Sequence, residues 1–174
     1  MLDELGEPET SKLLSLFTCP INPDVESFLH NNAIMFEGRD TTRTYLMISD
    51  AGEIYAFFSL ATKELTLLNT NLSKTTVKKI HGANKHAERV PAFLIGQIAK
   101  NHSITDNPIR LRDILNEAYG MITLAKEIIG GRVVILECED NDKLISMYVN
   151  HGFTRIDINN SQDSLVTLYK LIIH

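Results

Sequence analysis

Three consecutive stretches decide the fold of this 174-residue chain: Val90-Pro91-Ala92-Phe93-Leu94-Ile95-Gly96-Gln97-Ile98-Ala99-Lys100, then Leu111 to Ile129, then Val133-Val134-Ile135-Leu136. The first reads as a strand. Pro91 sits at its start, where a missing N–H is tolerated, and Gly96 lies in its interior, where glycine marks a bulge or a close approach by a ligand. In the second, Leu111, Ile114, Leu115, Ala118, Ile122, Ala125 and Ile129 recur at steps of three and four, the period of a helix. Asn107 is its candidate cap, Pro108 its first residue and Gly130-Gly131 its stop. The third is a continuous apolar run, as expected of a strand covered on both faces. A strand–helix–strand crossover makes its two strands parallel neighbours, which places a parallel pair inside a mixed sheet.

Working outward, Asp140 to Asn150 is a short amphipathic helix bearing Leu144, Ile145 and Tyr148, with Gly152 suited to a left-handed residue after it. Phe153–Ile158 and Leu165–Ile172 read as a final antiparallel pair. Toward the N-terminus, residues 69–89 form a polar connection with a short helix capped by Ser73. Arg43–Ser49 and Glu53–Thr62 are two strands joined by the turn Asp50-Ala51-Gly52. Asn22-Pro23-Asp24 reads as a helix start, and Val25, Phe28, Leu29, Ala33 and Phe36 give that helix an apolar face up to Gly38. The expectation is one α/β (α+β) domain over residues 1–174, with residues 1–12 as a polar N-terminal extension and helices on both faces of the sheet.

Composition excludes several classes. No apolar run approaches the ~18 residues of a membrane span. Met1 to Ser11 is acidic and polar, unlike a signal peptide. The two cysteines, Cys19 and Cys138, make no disulfide framework, and neither they nor the six histidines show metal-ligand spacing. A cytoplasmic protein without a metal or a membrane partner is expected by elimination. The net charge of −5 is uneven: Lys74, Lys78, Lys79, Lys85 and Arg89 against Glu88 give the segment 74–89 a balance of +4 and leave −9 elsewhere. That segment is either solvated surface or a contact for an anionic partner, cofactor phosphates or nucleic acid. The chain as a whole lacks the basic face of a dedicated nucleic-acid binder.

The order of elements and three stretches resemble the GNAT acetyltransferase superfamily from about Phe17 to Leu171. Leu136-Glu137-Cys138-Glu139-Asp140 through Met147-Tyr148-Val149-Asn150-His151-Gly152-Phe153 looks like the family's strand–helix–turn, whose helix carries a tyrosine and ends in Gly-Phe. Pro91 to Ala99 looks like its central cofactor-binding strand. Tyr55-Ala56-Phe57-Phe58-Ser59-Leu60-Ala61, after Arg43-Thr44-Tyr45-Leu46, is similar to the hairpin of a branch that includes bacterial toxin acetyltransferases acting on aminoacyl-tRNA.

The resemblance implies acetyl-CoA as co-substrate and an amine as acceptor, with charged tRNA as the toxin-like alternative and a homodimer as a permitted assembly. It implies that pantetheine adds to the strand at Ile98, Ala99 and Lys100, with Ile98 and Lys100 supplying amides. The pyrophosphate would lie at the start of the next helix, at Asn107, Ile109, Arg110, Leu111 and Arg112, where free N–H groups and the helix dipole favour anions. The sequence departs from the family here: Ile104 to Leu111 contains no glycine, Pro108 lacks an N–H and Asp106 adds a negative charge. A non-catalytic protein of the same fold is therefore a further alternative, and Arg110 is the residue to offset lost amides. Tyr148 is the family's general acid, or else an aromatic core residue. Glu137 is the candidate base beside Glu139, both pointing to one face of a strand end. Cys138 reads as an inert strand-end thiol, and His151 as a residue at the helix end.

Overall fold

Asn22 caps the first long helical stretch: its side chain accepts from the Val25 N–H, and Pro23 holds the first position. The stretch runs as α3 (Pro23–Ser27), a π-helical turn (Phe28–Asn32) and α4 (Ala33–Gly38). The computed structural model describes residues 2–158 and 165–173. Two short helices precede α3, α1 (Leu2–Leu5) and α2 (Glu7–Leu14). The segment expected as a plain extension is thus helical, and Leu14 at its end is 3% exposed. Pro8 in the first turn of α2 and Glu7 and Glu9 beside the N-terminal N–H groups are the local reasons.

The remaining elements follow the sequence order: β1 (Arg43–Ile48), β2 (Ile54–Thr66), α5 (Lys74–His81), β3 (Arg89–Lys100), α6 (Leu111–Ile129), β4 (Val133–Glu139), α7 (Asp142–Val149), β5 (Thr154–Ile156) and β6 (Leu165–Leu171). Ser73 caps α5 by accepting from the Thr76 N–H, and Asn141 caps α7 by accepting from Lys143 and Leu144. The six strands form one mixed sheet in the order β1-β2-β3-β4-β6-β5. β3 and β4 are parallel, with Phe93, Leu94 and Ile95 opposite Val134, Ile135 and Leu136. The final pair is antiparallel as expected, and β6 also runs antiparallel to β4.

The chain divides into two compact units, residues 1–61 with 96–120, and residues 62–95 with 121–174, so that β2, β3 and α6 pass through both. The first unit is built on Leu14, Phe17, Val25, Phe28, Leu29, Ala33, Ile54, Phe57 and Ala99. Phe17 meets Phe57 edge-on at 5.1 Å between centroids, and Phe28 stacks on the same ring at 6.4 Å. The second is built on Leu65, Val77, Ile80, Val90, Ala92, Val133, Ile135, Ile156 and Tyr169. The 133–136 run is buried along its whole length, as its unbroken apolarity requires. Gly131 is where this unit needs a glycine: at φ 136° a Cβ would stand 2.3 Å from the Phe93 ring.

Two boundaries differ from the sequence reading by three residues or more. β2 runs on to Thr66 although Lys63 and Glu64 are exposed, because both side chains find partners: Lys63 pairs with Glu137 and Glu64 with Arg89. α6 starts at Leu111, not at Pro108.

Candidate functional site

The ten residues Asn101 to Arg110 connect β3 to α6, and two asparagines organise them. Asn101 is 3% exposed. Its Oδ1 accepts from the Thr18 N–H (3.0 Å), the Ser103 N–H (3.0 Å) and the Ser103 hydroxyl (2.8 Å), while its Nδ2 donates to the Ile54 carbonyl (2.8 Å). Asn107 is also buried. Its Nδ2 donates to the carbonyls of Tyr55 (2.8 Å) and Asn101 (3.0 Å), and its Oδ1 accepts from the Ile109 N–H at 3.1 Å. Asn107 is therefore neither the helix cap nor an outward donor; its amide is used up inside the fold. Lys100 reaches over to donate to the Asn107 carbonyl.

Arg110 occupies the position before α6, where the N–H groups of Asp113 (2.9 Å) and Ile114 (3.2 Å) donate to its carbonyl. The Asp113 carboxylate reaches back and accepts from the Arg110 N–H at 2.9 Å, half of a capping box. The amides of Ile109 and Arg110, both expected to meet pyrophosphate, already have acceptors, and one acceptor is an anion. Sequence reasoning missed Asp113, although the spacing Arg110-x-x-Asp113 carries the signal. Arg110 and Arg112 keep exposed side chains, and Arg112 lies 3.7 Å from Asp113.

The strand part of the site has the opposite character. The Asn101 N–H donates to the Tyr55 carbonyl, so Asn101 faces β2. Backbone groups alternate along a strand, which turns Ile98 and Lys100 the other way. On that side the pairing with β4 spans Phe93 to Ile95. β3 runs on to Lys100, while its register with β4 ends at Ile95, short of Ile98 and Lys100. This edge fits an extended, amide-bearing chain, whereas the loop amides as folded do not fit a pyrophosphate.

In the second unit, Tyr148 on α7 is 9% exposed and its ring meets Phe153 edge-on at 6.1 Å. Burial, and secondarily the nearby Cys138, push its hydroxyl up to about 12. Burial also raises the Cys138 thiol, only partly countered by Arg155, so it stays an unreactive thiol. Glu137 is held by Lys63, whose Nζ donates to its two oxygens at 2.6 and 2.7 Å. Glu139, at the end of the same strand, is exposed. His151, a helix-end residue, donates from Nδ1 to the Met147 carbonyl, 3.0 Å away. Among the described residues no group of three or more His, Cys, Asp or Glu is placed to hold a metal, and no helix is long and apolar enough to cross a membrane.

No family model matches this sequence, and no curated protein matches it. Solved structures do. A bacterial toxin aligns over 91% of this chain and 83% of its own at 12% identity, with a TM-score of 0.73. AtaT complexed with acetyl-methionyl-tRNA aligns over 91% and 86% at 18% identity, with a TM-score of 0.67. A variant of KacT aligns over 88% and 85% at 18% identity, with a TM-score of 0.65. Together with the parallel β3–β4 pair in a mixed six-stranded sheet, these likenesses establish that the chain has the GNAT acyltransferase fold.

Proposed function

We propose that the chain transfers an acetyl group from acetyl-CoA to an amine. The observation that carries this reading is that β3 runs on to Lys100 while its parallel register with β4 ends at Ile95, which leaves an edge for an added extended chain at Ile98 and Lys100. The structural relatives support it: AtaT has been solved with acetyl-CoA and its antitoxin AtaR, and with acetyl-methionyl-tRNA. Acetyl-CoA, when bound, supplies the activated acyl group and a thiolate leaving group. Ile98 and Lys100 hold the pantetheine arm. Tyr148 serves the departing sulfur. A phenol at about 12 sits well above a thiol at ~8.5, so full proton transfer would be uphill by roughly 5 kcal/mol. Tyr148 therefore acts by donating a hydrogen bond to developing sulfur charge. Glu137, oriented by Lys63, accepts the amine proton directly or through water.

The pyrophosphate falls to side chains. With the Ile109 and Arg110 amides engaged and Pro108 lacking one, the Arg110 guanidinium supplies the charge-assisted bonds, and Arg112 adds to the field. Calorimetry with acetyl-CoA should give measurable binding, and Arg110→Ala should weaken it at least tenfold, with dephospho-CoA losing no more in the variant than in the parent. Asp113→Asn removes the anion that the Arg110 N–H and the Arg112 guanidinium face and should tighten binding. Equal affinity in the parent and Arg110→Ala would sink the arginine's role. No heat and no thermal shift at millimolar acetyl-CoA would leave a non-catalytic protein of this fold.

A second reading, in which the acceptor is the amino group of aminoacyl-tRNA, is favoured by α5. Lys74, Lys78 and Lys79 are all exposed on this one short helix, and Lys85 follows. If it meets RNA, binding should weaken steeply with salt, the slope reflecting the phosphates contacted. Lys78→Glu with Lys79→Glu should abolish it. Lack of tRNA binding at low salt would return α5 to solvated surface.

A further inference from the structure

β1 and β5 are the two edges of the sheet, and they are built differently. β5 is three residues long and carries Arg155. A short or charged edge resists pairing with another chain. β1 is six residues long, and its Tyr45-Leu46-Met47-Ile48 portion has neither a charge nor a proline. Two hydrogen bonds fix which of its backbone groups face outward. The Thr44 N–H donates to Glu37 Oε2 at 2.9 Å, away from β2, and the Ser49 N–H donates to the Glu53 carbonyl at 2.9 Å, across the hairpin. Alternation between these two points turns the peptide groups of Leu46 and Ile48 outward. No strand lies beyond them among the described residues. Beside them is an open depression of about 680 Å³, lined by Thr44, Leu46 and Ile48 of β1 and by Leu14, Ala33 and Ile34 of α2 and α4. An outward-facing strand edge with apolar side chains next to it is what an added strand requires. Main-chain bonds supply affinity and alternate side chains supply specificity.

Charge selects the partner. At the start of β1, Glu37 and Asp40 face the single guanidinium of Arg43. Beyond its end, Asp50 and Glu53 are exposed in a turn that holds no basic residue. Both ends of the edge are therefore acidic. Residues 1–61 carry ten acidic and three basic side chains, net −7. A second copy would set two such segments against each other, whereas a basic chain is drawn to them.

We propose that the outer edge of β1 takes up an extended segment of another protein as an added strand, with basic residues at the segment's ends and apolar side chains at alternate positions lying against Leu14 and Ile34.

The probe is the peptide acetyl-Lys-Val-Thr-Val-Thr-Val-Lys-amide, long enough to span β1. It should bind the full chain in calorimetry, and the same peptide with glutamate in place of both lysines should bind at least tenfold more weakly. N-methylation separates strand addition from plain charge attraction. Methyl groups on the valine nitrogens block one alternating set of N–H groups, and methyl groups on the threonine nitrogens block the other. One of these two peptides should lose at least tenfold in affinity, and the other should stay close to the unmethylated probe. Ile48 is 39% exposed, so Ile48→Lys should melt as the parent does while its like charge weakens binding of the basic peptide at least tenfold. Asp40→Asn, a residue type that also tolerates the φ of 56° found there, should weaken binding by a smaller factor. Equal affinity for the basic and acidic peptides would overturn the partner class, and equal affinity of the two methylated forms would overturn strand pairing. No binding at millimolar peptide, or unchanged affinity in both Ile48→Lys and Asp40→Asn, would overturn the site. A dimer of the parent chain in sedimentation that Ile48→Lys dissociates would assign the edge to a second copy and overturn the proposal.

Discussion

Replacing Tyr148 with Phe should reduce acetyl transfer by roughly 10²-fold or more while leaving the fold intact at neutral pH, the usual scale for losing a hydrogen-bond donor aimed at developing charge. The ring keeps its edge-on contact with Phe153, 6.1 Å away, and α7 keeps its Asn141 cap. None of the hydrogen bonds among the described residues uses the Tyr148 hydroxyl, so its removal strands no partner. The same substitution has a second readout that does not depend on activity. The folded hydroxyl titrates at about 12 against an ordinary value of ~10, because burial disfavours the phenolate. The fold therefore holds this proton more tightly than the unfolded chain. The associated stability is complete below pH ~10 and is lost as pH rises toward 12, by about 3 kcal/mol at the limit. The Phe variant should lose less stability than the parent between pH 9 and 11. Initial rates of thiol release and denaturation midpoints at the two pH values measure both effects. Unchanged turnover would make Tyr148 a packing residue, and parallel alkaline losses in parent and variant would remove the titration argument.

What could be read in advance was what local chemistry determines. The caps at Asn22 and Ser73 and the crossover from strand to helix to strand are signals carried by a few neighbouring residues, and they appear where expected. That Ile98 and Lys100 offer amides to pantetheine is implied by the family resemblance and stands as a proposal. What was hidden depends on distant partners. Glu137 and Glu139 look alike in sequence, and Lys63 distinguishes them from 74 residues away. Asn107 before Pro108 carries the usual mark of a helix start. Its amide instead turns to the Tyr55 carbonyl, 52 residues back, and the helix opens three residues beyond Pro108. The glycine-free loop was visible, but not its consequence, that Asn107 and Asp113 already hold the amides of Ile109 and Arg110.

The same loop yields the largest expected effect on stability, at Asn101. Truncation to Ala removes the acceptor of the Thr18 and Ser103 N–H groups and the donor to the Ile54 carbonyl. A buried group left unpaired costs ~1–3 kcal/mol. Ser103 is exposed and can turn to water, whereas Ile54 is buried and Thr18 is half-buried next to the fully buried Phe17. Two such losses give about 2–6 kcal/mol, a large part of a typical total stability of ~5–15 kcal/mol. Asn101→Asp separates the roles: it keeps the acceptor for Thr18 and Ser103 but sets a carboxylate oxygen against the Ile54 carbonyl, so it should be no better tolerated than Ala. Asn107→Ala should follow the same pattern with a smaller loss, because the Tyr55 carbonyl keeps a second bond, from the Asn101 N–H. Urea denaturation at neutral pH reads all three. If the loop is the hinge on which Ile98, Lys100 and Arg110 are set, the Asn107→Ala chain, still folded at low temperature, should also bind acetyl-CoA more weakly than the parent. A midpoint for Asn101→Ala within experimental error of the parent would mean that water replaces the amide and that the loop is held by other contacts.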